Sequence, residues 1–105
     1  MTYFSCSLLF RSIFEDESSN GEGIFEESII LVLAESQDAA KSIAEEIGRG
    51  QQTQYQNAEG NLVRWVFLKV WNIYQIQSDK LDHGTELFSR HLKESEVKSI
   101  SEGFN

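Results

Sequence analysis

The segment VRWVFLKVWNIYQI, Val63 to Ile76, constrains this chain more than any other part of it. Its β-branched and aromatic content specifies a strand. Read by strict alternation, one side carries Val63, Trp65, Phe67, Trp71 and Ile73, interrupted by Lys69. The other side carries Leu62, Arg64, Val66, Leu68, Val70, Tyr74 and Ile76. A strand apolar on both sides belongs at or near the centre of a sheet and needs cover on two faces.

The rest of the chain supplies a small sheet around it. A length of 105 residues suits one domain with one core, spanning 1–105. Thr2 to Phe14 alternates, with Phe4, Cys6, Leu8, Phe10 and Phe14 on one face and Tyr3, Ser5, Ser7 and Arg11 on the other, as in a half-buried antiparallel strand. An acidic hairpin loop follows over 15–23, EDESSNGEG, and then a strand over roughly Ile24 to Glu35. The IILVLA centre of that strand implies burial on both sides.

Ser36 is placed to cap a helix, with Asp38 in the first turn, Ala39, Ala40, Ile43, Ala44 and Ile47 at helical spacing, and Gly48 as the stop. A polar strand over Gln51 to Gln56 and the turn NAEGN, with Gly60 suited to a positive φ, lead back into the long strand. SDKLDHG reads as a further turn, Glu86 to Arg90 as a short fifth strand, and the tail from about 94 as a short helix through Ile100. The expected fold class is α+β: a ββαββ(β) antiparallel sheet of four to five strands with one main helix on one face and a short C-terminal helix.

A single helix is about 10 Å wide against a strand spacing of about 4.8 Å, so it covers only part of one face of such a sheet. The small, branched Val66, Leu68 and Val70 suit the side beneath an alanine-rich helix. That leaves Trp65, Phe67 and Trp71, with Ile73 and with Arg64 and Tyr55 at the margins, as the candidate interface. Its cover is the C-terminal segment, a second copy of the chain, or a ligand.

The phrases EESIILVLAES leading into DAAKSIAEEIG, then YQNAEGNLVRWVFLKVWNIYQI and finally GTELFSR, resemble the bacterial domain-of-unknown-function family numbered 4288, with Gly60, Arg64, Trp65 and the Gly84–Thr85–Glu86 turn as the best-matching pieces. The likeness spans about Thr2 to Leu92. It implies a compact α+β domain and brings no activity, cofactor or catalytic residue.

Charge narrows the partners. Seventeen acidic against nine basic side chains give a net charge of −8, and the bases are dispersed among the acids, which disfavours nucleic acid. The same charge suits an acidic antitoxin or immunity-type protein that binds a basic partner. One cysteine, Cys6, on the apolar face of the first strand, fits a small buried hydrophobe in a reducing cytoplasm and excludes a disulfide framework. No apolar run is long enough to span a membrane, and MTYFSCSLLFRSIF lacks a basic leader.

Catalytic patterns are absent: no G-x-S-x-G, and GRGQQ follows a helix, the wrong order for a phosphate loop. Glu15, Asp16, Glu17 and Glu22 lack the spacing of a calcium loop and read as a solvated run. His83 and His91, with Asp79 and Asp82 nearby, are the weak metal candidates. The leading expectation is a non-catalytic interaction or self-associating module, a homodimer through the aromatic face of strand 62–77, with no cofactor. The alternative is a small-molecule or metal-binding protein with a pocket near the 15–22 loop and His83, walled by Tyr55, Arg64 and Trp65.

Overall fold

The computed structural model describes residues 1–14 and 23–102. Two long strands, β1 (Thr2–Phe14) and β2 (Phe25–Ala34), are followed by the helix α1 (Gln37–Gly50), then β3 (Thr53–Gln56), β4 (Leu62–Gln75) and a short helix α2 (Glu94–Ser101). The strands form one antiparallel sheet in the order β2-β1-β4-β3. The α+β expectation is met, with four strands. The acidic loop read over 15–23 falls, apart from Gly23, outside the described residues.

β1 follows its alternation closely. Phe4, Cys6, Leu8 and Phe10 are buried and form the core with Val32, Ala34, Ala40 and Ala44. Leu8 and Cys6 retain no exposure at all. Burial pushes the Cys6 thiol pKa up, which keeps it protonated and inert.

α1 begins where its cap predicts. Ser36 is extended, at φ −153° and ψ 166°, and its Oγ accepts the Ala39 N–H at 3.1 Å. The helix does not stop at Gly48 but runs on to Gly50. Gly48 is instead a contact point, because a Cβ built there lies 2.5 Å from Cδ1 and Cε1 of Phe67. Ala40, Ala44 and Gly48 therefore make a stripe of small buried residues at a spacing of four that lets α1 lie close on the sheet.

The largest departure from the sequence reading is in β4. Its register with β1 slips twice: Ser7 and Leu8 face Asn72 and Val70, and Leu9 and Phe10 face Lys69 and Phe67. Trp71 and Leu68 are thus left unpaired, as the extra residues of two β-bulges. Each bulge resets the alternation. Residues opposite one another in an antiparallel pair share a face, so Val63, Trp65, Phe67, Val70 and Ile73 join the β1 core face, while Leu62, Arg64, Val66, Lys69, Asn72 and Tyr74 take the other.

The strand is therefore not apolar on two faces. It has one apolar face, spaced two, two, three and three, and the helix sits over the side that carries Trp65, Phe67 and Val70 rather than over Val66 and Leu68. Phe67 meets Phe10 edge to face there, with ring centroids 5.6 Å apart.

Two further expectations are corrected. Glu86 to Arg90 has no strand, and the segment through Leu92 is irregular. It is held by side chains rather than by a ladder: the Ser5 hydroxyl donates to the Leu87 carbonyl, and Phe88 packs edge to face on Tyr74 at 5.9 Å. The polar strand is also shorter than read, because Gln51 is the C-cap of α1, with its N–H turned back to the Ile47 and Gly48 carbonyls, and Gln52 spends its Oε1 accepting the Phe67 N–H at 3.0 Å. Gly60 and Gly84, at φ 84° and 85°, take the left-handed turns that their loops demand.

Candidate functional site

The sheet has a helix face and an open face, and the six interface candidates divide between them. Trp65, Phe67 and Ile73 are partly buried and pack against the core beneath α1. Tyr55, opposite Val63, also belongs to the helix side, at the sheet edge, and is half exposed. Arg64 and Trp71 lie outward. Trp71 reaches across the open face: its indole N–H donates to Glu27 Oε2 at 2.8 Å, and Glu27 shares that face with Leu9 and Lys69.

The exposed apolar surface of the open face comes mainly from β2, a correction to the burial on both sides that its apolar centre implies. Only Val32 and Ala34 of β2 are fully buried. Ile29, Leu31 and Leu33 point the other way and keep 52%, 48% and 45% of their surface, and Trp71 keeps 50%. Phe25, at the start of the same row, carries the Arg11 guanidinium 5.4 Å from its ring centroid. A continuous apolar IILVL run has the same appearance on an edge as in a centre. The signal that separates them is the strand order, which appears only in the folded sheet.

The open face is covered at one end. There the segment after β4 lies over Ser5, and the Tyr74 hydroxyl donates to Glu86 Oε1 at 2.5 Å. That bond raises the Tyr74 pKa and, together with a hydrogen bond from Ser89, lowers that of Glu86. Next to it Tyr74, Gln77, His83 and Glu86 line a cleft of about 440 Å³. His83 is thus in a cavity, but His91 is not among the residues that wall it, and among the described residues no three His, Cys, Asp or Glu side chains converge as metal ligands.

Arg64 and Trp65 line a second, shallower cleft of about 250 Å³ with Gln52, Thr53 and Gln54 at the β3 edge, without Tyr55. Both clefts are separate from the β2 row. Among the described residues no helix is long and apolar enough to cross a membrane.

No curated protein and no solved structure matches the chain. A family profile does match, over residues 3–89, which takes in all four strands, the main helix and the segment that covers Ser5. The chain belongs to the family described as a domain of unknown function, DUF4288.

Proposed function

We propose that this domain acts by non-catalytic contact between proteins, as a self-associating module, and that the contact surface is the open face of the sheet. What supports the reading is one row of side chains: Ile29, Leu31 and Leu33, all about half exposed, with Trp71 beside them. Contiguous apolar surface of this kind marks an interaction site more often than does scattered exposure. Of the residues expected at the interface, Trp71 and Arg64 remain on this surface, whereas Trp65, Phe67 and Ile73 serve the core. The buried, protonated Cys6 suits a reducing cytoplasm.

Sedimentation of the wild type and of Leu31→Glu over a concentration series is the test. The expected result is association of the wild type and a monomeric variant, with equal unfolding midpoints at low protein concentration. Two monomers with the same midpoint sink the reading.

A second reading rests on the cleft of about 440 Å³ lined by Tyr74, His83 and Glu86, whose volume lies in the range of small-ligand sites. Here the domain holds a small polar metabolite, with His83 and Glu86 as its polar contacts. Thermal shift against a panel of metabolites and divalent metals checks it. A shift seen in the wild type and lost in His83→Ala supports the cleft, and silence across the panel removes it.

A further inference from the structure

We propose that the partner is a second copy of this chain, joined edge to edge along β2 so that two four-stranded sheets become one continuous sheet; this rests on the reading of the domain as a self-associating module. The argument begins with the backbone. Ser12 N–H donates to the Ile24 carbonyl at 2.9 Å and Ile24 N–H donates to Ser12 Oγ at 2.9 Å, so the peptide groups of Ile24 face β1. The register from Arg11↔Phe25 to Thr2↔Ala34 runs without a slip. Alternation therefore turns the N–H and C=O of Phe25, Glu27, Ile29, Leu31 and Leu33 away from β1, toward the outer edge, where no described strand pairs with them.

Natural sheets protect such an edge with lysine, proline, a bulge or shortness. Charged side chains serve the same end, and β2 carries two, Glu26 and Glu27, at its start; from Ser28 to Ala34 it has no charge, no proline and an unbroken register. The opposite edge is blunted, since β3 is four residues, TQYQ.

The sequence of β2 is also self-complementary about Ile30. A two-fold axis there sets Ile29 opposite Leu31 of the second copy and Glu27 opposite Leu33, with outward-facing groups meeting outward-facing groups, and puts Glu26 opposite Ala34 as a pair without hydrogen bonds. No carboxylate then faces another, which matters in a chain of net charge −8. An axis at Leu31 sets Glu27 against Glu35, and one at Ile29 sets Glu27 against Leu31 and loses the direct Ile29–Leu31 pairs.

The size of the contact sets its strength. Edge pairing buries the flanks of Ile29, Leu31 and Leu33 and not Trp71, which stands on β4, two strands in, so the contact is smaller than the ~800 Å² that each partner gives a standard interface. The edge hydrogen bonds add to this, and a contact of such a size belongs with weak, transient interfaces, to be looked for over a range of about 1–100 μM.

Amide hydrogen exchange on the full chain, read residue by residue below and above that range, tests the pairing. The amides of Glu27, Ile29, Leu31 and Leu33 are expected to gain protection with concentration, while those of Ser28, Ile30 and Val32 are protected throughout. Ile29→Pro removes one outward N–H from an edge, where proline is tolerated, and is expected to raise the dissociation constant at least about tenfold; Ile29→Lys, which leaves the backbone free to fold, is expected to do likewise. A dimer seen by sedimentation whose odd-numbered β2 amides exchange freely overturns the edge pairing and leaves the open-face reading standing. A chain that stays monomeric to about 1 mM overturns both.

Discussion

The helix face and the open face of this sheet are built from the same β1 and β2 residues taken alternately, yet one is closed and the other is not. On the helix face Phe4, Cys6, Leu8 and Phe10 are sealed by the small-residue stripe of α1. On the open face Ile29, Leu31 and Leu33 have similar apolar area and no helix, and the covering segment reaches only the end near Ser5 and Tyr74. The difference lies in the topology rather than in hydrophobicity: among the described residues a single docked helix closes one face, and β2 at an edge has a sheet neighbour on one side only. Apolar content therefore does not separate core from contact surface here, and position in the sheet does.

The sharpest way to break that contrast is to truncate one leucine on each face. Leu8→Ala empties a site with no exposure and is expected to cost about 2–5 kcal/mol. Leu31→Ala removes a half-exposed side chain and is expected to cost under about 1 kcal/mol in the monomer while weakening association. Denaturant midpoints at low protein concentration, with the slope held constant, measure the two. Equal losses would mean that the open face is as structural as the helix face.

Two glycines of α1 sharpen the comparison from the helix side. A methyl at Gly48 meets the Phe67 ring at 2.5 Å, whereas one at Gly50 meets nothing within 4 Å. Alanine brings about 1 kcal/mol of helix propensity at an interior position and less at a helix end. At Gly48 the overpacking term, about 1–3 kcal/mol, exceeds it, since Phe67 is already held against Phe10. Gly48→Ala is expected to lower the thermal midpoint and Gly50→Ala to raise it slightly. Two shifts of the same sign would show that α1 does not sit close on β4.

Much of this arrangement is legible in the sequence, and the parts that are not share a cause. β1, the Ser36 cap and the Gly60 turn follow from local pattern, because alternation, capping and positive φ are decided within a few residues. The faces of β4 are not legible, since the bulges at Leu68 and Trp71 carry no glycine or proline to announce them and shift Val70 and Lys69 to opposite sides of where alternation puts them. The irregular course of 86–92 depends on Ser5 and Tyr74, far away in sequence. For the same reason local pattern does not mark Ile29, Leu31 and Leu33 as exposed: being an edge is a property of the sheet order.

The smallest expected effect concerns the one place where the open face is covered. The Tyr74–Glu86 hydrogen bond ties the 86–88 segment to β4, and both groups are solvent-accessible, so its contribution is modest and is read best from local signals. Glu86 has a lowered pKa in the fold; its contribution is fully present above the ordinary glutamate range and is lost as pH falls through the lowered value. Tyr74 has a raised pKa; its contribution is present below the ordinary tyrosine range and is lost as pH rises through the raised value. The segment should thus stay docked across the neutral range and loosen at both extremes. The ring signals of Tyr74 and Phe88, in edge contact at 5.9 Å, report it by NMR. Glu86→Gln is expected to remove the acid step, because a neutral amide still accepts the hydroxyl but does not titrate. An acid step that persists in this variant would assign the closure of that end to the Ser5–Leu87 contact and the aromatic pair alone.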